Sequence, residues 1–134
     1  MSDVTLAADK WQNPALSLLR FVAGLCFLEH GMTKLFGFPP SAAFAHGLPP
    51  MLWVAGIIEL FGGALICIGL FTRPAALIAS GEMAVGYFTV HLPKSPFPEI
   101  NGGDAAILYC FIFFFLIFAG AGPISLDRLI GSRR

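Results

Sequence analysis

The chain has 134 residues, 57% of them hydrophobic and only 12% charged, with a formal net charge of zero. Its mean hydropathy is +0.80, so polar surface is too scarce for a water-soluble enzyme, and the even charge balance lacks the basic footprint that nucleic acid demands. Cys26, Cys67 and Cys110 lie in apolar runs without CxxC spacing, which argues for core packing and against a disulfide scaffold or a zinc site.

In chain order, apolar stretches run from Pro14 to Phe36, Pro50 to Phe71, Pro74 to Leu92 and Asp104 to Gly122. Each approaches the ~20 helical residues needed to cross a hydrocarbon core of ~30 Å. None alternates polar with apolar residues, so helices are favoured over a barrel. Ahead of the first span, Asp3 and Asp9 stand where a cleavable signal is basic, and no leader peptide is expected. Proline-bounded loops separate spans one from two and three from four, whereas only Thr72-Arg73 joins two to three. Thr72 is expected to cap the third helix, whose first turn tolerates Pro74. In the fourth span, Phe111 to Phe118 are apolar all round and suited to lipid.

The expectation is an all-α chain: one transmembrane domain over residues 1–134, folded as an integral membrane four-helix up-and-down bundle with a short tail at 123–134. Lys10, Arg73, Arg128, Arg133 and Arg134 share one side, against Lys34 and Lys94 on the other. Both termini are therefore expected in the cytoplasm. Trp11 and Trp53 sit where interfacial indoles are common.

Ionisable side chains within these spans each cost at least ~2.5–3.5 kcal/mol on insertion scales, so each needs a partner or a cavity. At ~1.5 Å per residue, Arg20 and Glu82 fall at similar depths from the cytoplasmic edge, predicting a structural ion pair, with Asp127 as a rival partner for Arg20. From the opposite edge, Glu29 and His30 lie about 10 Å deep and Glu59 about 13 Å, with Lys34, His91 and Asp104 near the rim. These six are the candidate ligand-binding residues, although Glu29 and Arg20 point to opposite faces of their helix. Carboxylates and imidazoles gathered in an apolar cleft can bind a polar head group and relay protons to a quinone ring. Gly56, Gly62, Gly63 and Cys67 place small residues beside Glu59, giving close helix packing or room for a ligand. No metal is expected: ligand spacing such as HExxH is missing, and Lys34 opposes a cation. Small-xxx-small patterns at Gly63–Cys67 and Ala75–Ala79 suit contacts either within one bundle or between copies in a homo-oligomer.

Arg20, the run His30-Gly31-Met32-Thr33-Lys34-Leu35, Glu59-Leu60-Phe61-Gly62-Gly63, Asn101-Gly102-Gly103-Asp104 and Gly120-Ala121-Gly122-Pro123-Ile124-Ser125-Leu126-Asp127 occur in this order. Together they resemble the DoxX family of small bacterial membrane proteins over nearly the whole chain. Asp104 stands where the family is expected to favour Glu. The resemblance implies a multi-pass protein of the bacterial inner membrane, with relatives in thiosulfate:quinone oxidoreductases and membrane-associated oxidoreductase complexes. It places Arg20, Lys34, Glu59, Asp104 and Asp127 at the family's polar positions. The fold also looks similar to that of quinone-linked thiol oxidoreductases, but without a cysteine pair that chemistry is not expected.

Two readings follow. In the first, the chain is a quinone-interacting or accessory subunit of a membrane oxidoreductase system, binding a quinone non-covalently or docking a redox partner protein. In the second, it is a non-enzymatic membrane scaffold or small-solute carrier whose buried charges are structural.

Overall fold

The protein is described here by a computed structural model that covers residues 3–44 and 46–131, with side chains from residue 8 onward. Arg133 and Arg134, which entered the expected orientation, lie outside the described residues. The elements are α1 (Asp3–Phe36), α2 (Pro50–Ile68), α3 (Thr72–Gly86), the short α4 (Pro98–Asn101), α5 (Asp104–Ala119) and α6 (Leu126–Gly131). A 3-10 turn at Ala42–Phe44 follows α1, and a π-helical turn at Tyr87–His91 continues α3. No strand occurs among the described residues.

The helix limits differ from the apolar runs where capping chemistry intervenes. Pro14 lies inside α1, which begins ahead of the apolar run and is exposed from Ala8 to Asn13. α2 stops at Ile68 because Gly69 adopts φ 70°, and Leu70 N–H donates back to the Leu65 carbonyl at 2.9 Å, closing the helix with a left-handed cap. The third span turns out to be mixed, with α-helix to Gly86 and a wider turn beyond.

α1 packs chiefly on α2 and α3 on α5; the two pairs meet through α2 and α3, while α1 and α5 stay apart at the backbone and meet through the rings of Phe27, Tyr109 and Phe113. Glycines set the first contact. A Cβ at Gly31 would lie 2.4 Å from Leu60 N, one at Gly24 2.5 Å from Cys67 N, and one at Gly63 2.5 Å from Leu28 N. The two backbones therefore interlock, and the Gly63–Cys67 pattern is used within the chain. So is the Ala75–Ala79 pattern: both alanines are buried in a core with Phe27, Ile66, Phe113 and Leu116. The outer surface is apolar, with Leu108, Phe111 and Phe118 about two-thirds exposed, the reverse of a soluble protein. Ala8–Phe36 and Pro50–Ile68 are long and apolar enough to cross a membrane, and Asp104–Ala119 is a shorter apolar helix.

At the foot of the bundle, where α2 turns into α3, the expected ion pair is replaced by another arrangement. Arg20, 3% exposed, donates through Nε to the Ala121 carbonyl at 2.7 Å, through Nη1 to those of Ile66 (2.6 Å) and Cys67, and through Nη2 to that of Ile124 (2.6 Å). It does not pair with Glu82. Arg20 is level with Cys67, whereas the climb from Thr72 to Glu82 along α3 is about 15 Å, so matching depths counted from the ends of the runs misled. Asp127 is not a direct partner either, though its charge attracts Arg20. Its carboxylate accepts from Phe71 N–H at 2.7 Å and Thr72 N–H at 2.9 Å, capping α3. Thr72 thus receives the cap instead of supplying it, and its Oγ1 has no hydrogen-bond partner among the described residues.

Candidate functional site

At the opposite end the two helix pairs diverge around a cavity of about 340 Å3, at the lower end of the ~300–1000 Å3 usual for small-ligand sites. The glycine interlock builds its polar wall. Lys34 follows Gly31 by three residues and Glu59 follows Gly56 by three, so each charged side chain lies beside the point of closest approach. Lys34 Nζ contacts both Glu59 carboxylate oxygens at 2.5 Å, with the two side chains 11% and 1% exposed. Phe44, carried in by the 3-10 turn, places its ring centroid 5.9 Å from the same ammonium.

Two imidazoles complete the rim. His30 Nδ1 donates to the Cys26 carbonyl at 2.8 Å, and His91 Nδ1 donates to the Asn101 carbonyl at 3.0 Å. A carbonyl only accepts, so each Nδ1 carries a proton, and each Nε2 is left to serve as the second hydrogen-bonding position. The π-turn brings His91 to the cavity and stacks it on Tyr87, with centroids 6.3 Å apart. Buried Asn101 steadies the facing loop, donating to the Ser95 carbonyl at 2.8 Å and accepting from Gly103 N–H at 2.7 Å. An aromatic floor of Phe27, Tyr109 and Phe113 lies beneath, its centroids 4.7–5.7 Å apart.

Glu82 is the member that depth counting misplaced. It lines this cavity with Lys34, His30, Glu59 and His91, and its Oε2 is buried without a hydrogen-bond partner among the described residues. Two expected members fall elsewhere. Glu29 is exposed and lines an adjoining hollow with Thr33 and Pro39, which shares His30, Lys34 and Phe44 with the cavity. Asp104 is exposed in the first turn of α5 and borders none of the described cavities. Tyr109 and Phe44 were not foreseen; the signal for Tyr109 was its hydroxyl, the lone side-chain oxygen between Ala105 and Ala119.

Such a site is apolar over most of its wall, internally neutralised at Lys34–Glu59, and supplied with one spare carboxylate oxygen and two imidazole nitrogens. It suits an uncharged ring bearing hydrogen-bonding oxygens, and its acids and bases can move protons to or from that ring. The orphaned Glu82 oxygen and the aromatic floor fit a quinone head group.

Helical pairs with an apolar exterior and an ionisable pocket define a membrane protein. More specifically, the chain belongs to the DoxX family, whose profile matches residues 15–92. An uncharacterized protein of Haemophilus influenzae is 43% identical over 90% of this chain and 93% of its own length. "Putative oxidoreductase CatD" of Bacillus subtilis is 33% identical, covering 84% of each chain. "Inner membrane protein YqjF" of Escherichia coli is 27% identical over 92% of this chain and 98% of its own. No solved structure matches.

Proposed function

We propose that the protein is a four-span subunit of the bacterial inner membrane, with both termini in the cytoplasm, that binds a quinone head group for a membrane oxidoreductase system. The observation carrying this reading is the cavity itself: a neutral Lys34–Glu59 pair, an unpartnered Glu82 oxygen and two imidazoles with committed Nδ1 atoms in an apolar enclosure. A bound quinone supplies two-electron chemistry. This chain's share is to orient the ring on the aromatic floor, exclude water, and hold or pass protons at Glu82 and the His30 and His91 Nε2 atoms. Electrons come from a redox partner docked to the bundle. The name of the Bacillus subtilis relative supports an oxidoreductase setting.

Ubiquinone-1 titrated into the purified chain in detergent is expected to bind saturably. Glu82→Gln and His30→Ala are each expected to weaken it about tenfold, the value of one hydrogen bond to a charged or strongly polar group. Failure of the unaltered chain to bind any quinone removes the proposal. The scaffold reading draws support from the Arg20 clamp, where a buried charge does purely structural work.

A further inference from the structure

A second hollow adjoins the first. Between α2 and α3 the outer surface holds an apolar groove of about 350 Å3, with Val54 and Ile58 on one wall and Ile78, Gly81 and Val85 on the other. Leu52, Ala55, Glu82, Gly86 and Val90 line both the groove and the cavity. The two hollows therefore share a wall, with Glu82 at the join. Val54, Ile78 and Val85 are each more than half exposed, so the groove opens on the apolar flank of the bundle. Its glycines differ from those of the α1–α2 interlock: a Cβ at Gly81 or Gly86 would meet no atom within 4 Å. Packing does not require these glycines, and their lack of side chains leaves the groove wide.

We propose that the ligand is an amphiphile that enters sideways from the bilayer between α2 and α3, seats its hydrogen-bonding ring in the cavity with Glu82 as its first polar contact, and leaves its isoprenoid tail in the groove. This rests on the quinone reading and adds a route and a tail requirement to it. Physically, the tail never crosses water, because groove and bilayer are both apolar. At the threshold the ring meets the unpartnered Glu82 oxygen, and each supplies the hydrogen-bond partner the other lacks in apolar surroundings. Tail carbons held in the groove add affinity in proportion to the area they bury.

Full-chain protein in detergent is titrated with ubiquinone-0, which has no tail, and with ubiquinone-2, alongside Gly81→Leu and, on the same wall, Val85→Trp. Neither position lines the cavity. The expected result is tighter binding of ubiquinone-2 than of ubiquinone-0 to the unaltered chain. In a folded filling variant the ubiquinone-2 affinity falls about tenfold, equivalent to about two buried methylenes, with ubiquinone-0 unchanged. Equal affinities for the two quinones, or equal losses for both in the variants, overturn the groove while leaving the head-group site standing. Binding of neither quinone by the unaltered chain overturns the head-group reading and the groove with it.

Discussion

The two ends of the bundle handle buried charge in opposite ways. At the foot, Arg20 places its guanidinium among the carbonyls of Ile66, Cys67, Ala121 and Ile124, and Asp127 engages two backbone N–H groups. Partners there are main-chain atoms in fixed positions, so both charged groups are satisfied, although the neutral Thr72 hydroxyl beside them has no partner among the described residues. At the cavity end, Lys34 and Glu59 satisfy one another, yet Glu82 has an oxygen with no partner among the described residues. The contrast separates charge used to hold helices from charge held ready for something else.

Removing single charged groups strains this contrast most where a charge is left stranded. Lys34→Met leaves the Glu59 carboxylate buried beside no cation and is expected to cost about 3–5 kcal/mol, most of it recovered in the Lys34→Met/Glu59→Gln double variant. Thermal unfolding in detergent followed by circular dichroism measures both; equal losses in the single and double variants contradict the buried pair. Arg20→Met, which strips four carbonyls of their donor, is expected to lose a similar amount. Combining Arg20→Met with Glu82→Gln should then give additive losses to within about 0.5 kcal/mol, and a large coupling energy reinstates a direct pair. Gly31→Ala drives a methyl into the Leu60 backbone and is expected to cost about 1–3 kcal/mol, against a gain of up to about 1 kcal/mol for Gly81→Ala, where the space is open. If both glycine changes act alike, the interlock is wrong. The smallest effect is expected for Asp127→Asn, about 1 kcal/mol from a weakened α3 cap, read as a small shift in unfolding midpoint.

Much of the helical layout was legible because prolines and apolar runs announce it: Pro50 opens α2 at the residue expected, and Asp104 opens α5. Arg20 was legible as anomalous but not in its partners. Backbone carbonyls carry no signature, since every residue supplies one, and a charged neighbour at similar counted depth is the more visible candidate. The same similarity of counted depth favours Glu82 as that neighbour and hides its place in the cavity with Glu59. Four of the six expected ligand residues, His30, Lys34, Glu59 and His91, do line one cavity. Glu29 could be judged doubtful from its helical angle, whereas the exposure of Asp104 depends on how α4 and Gly102-Gly103 lead into α5. Gly24 and Gly31 were overlooked because their importance lies in the register of α1 against α2, a property of two segments that neither segment displays alone.

The reach of the Arg20 contacts also dictates an order of assembly. Its acceptor at Ala121 lies 101 residues further along the chain, and a ribosome adding ~5–20 residues per second takes roughly 5–20 s to cover that stretch. During that interval α1 has been made but its guanidinium has only the carbonyls at the end of α2 to engage, the remainder being still unsynthesised. Arg20 therefore cannot complete its set of acceptors until the closing segment emerges, and the bundle is sealed from its last-made end.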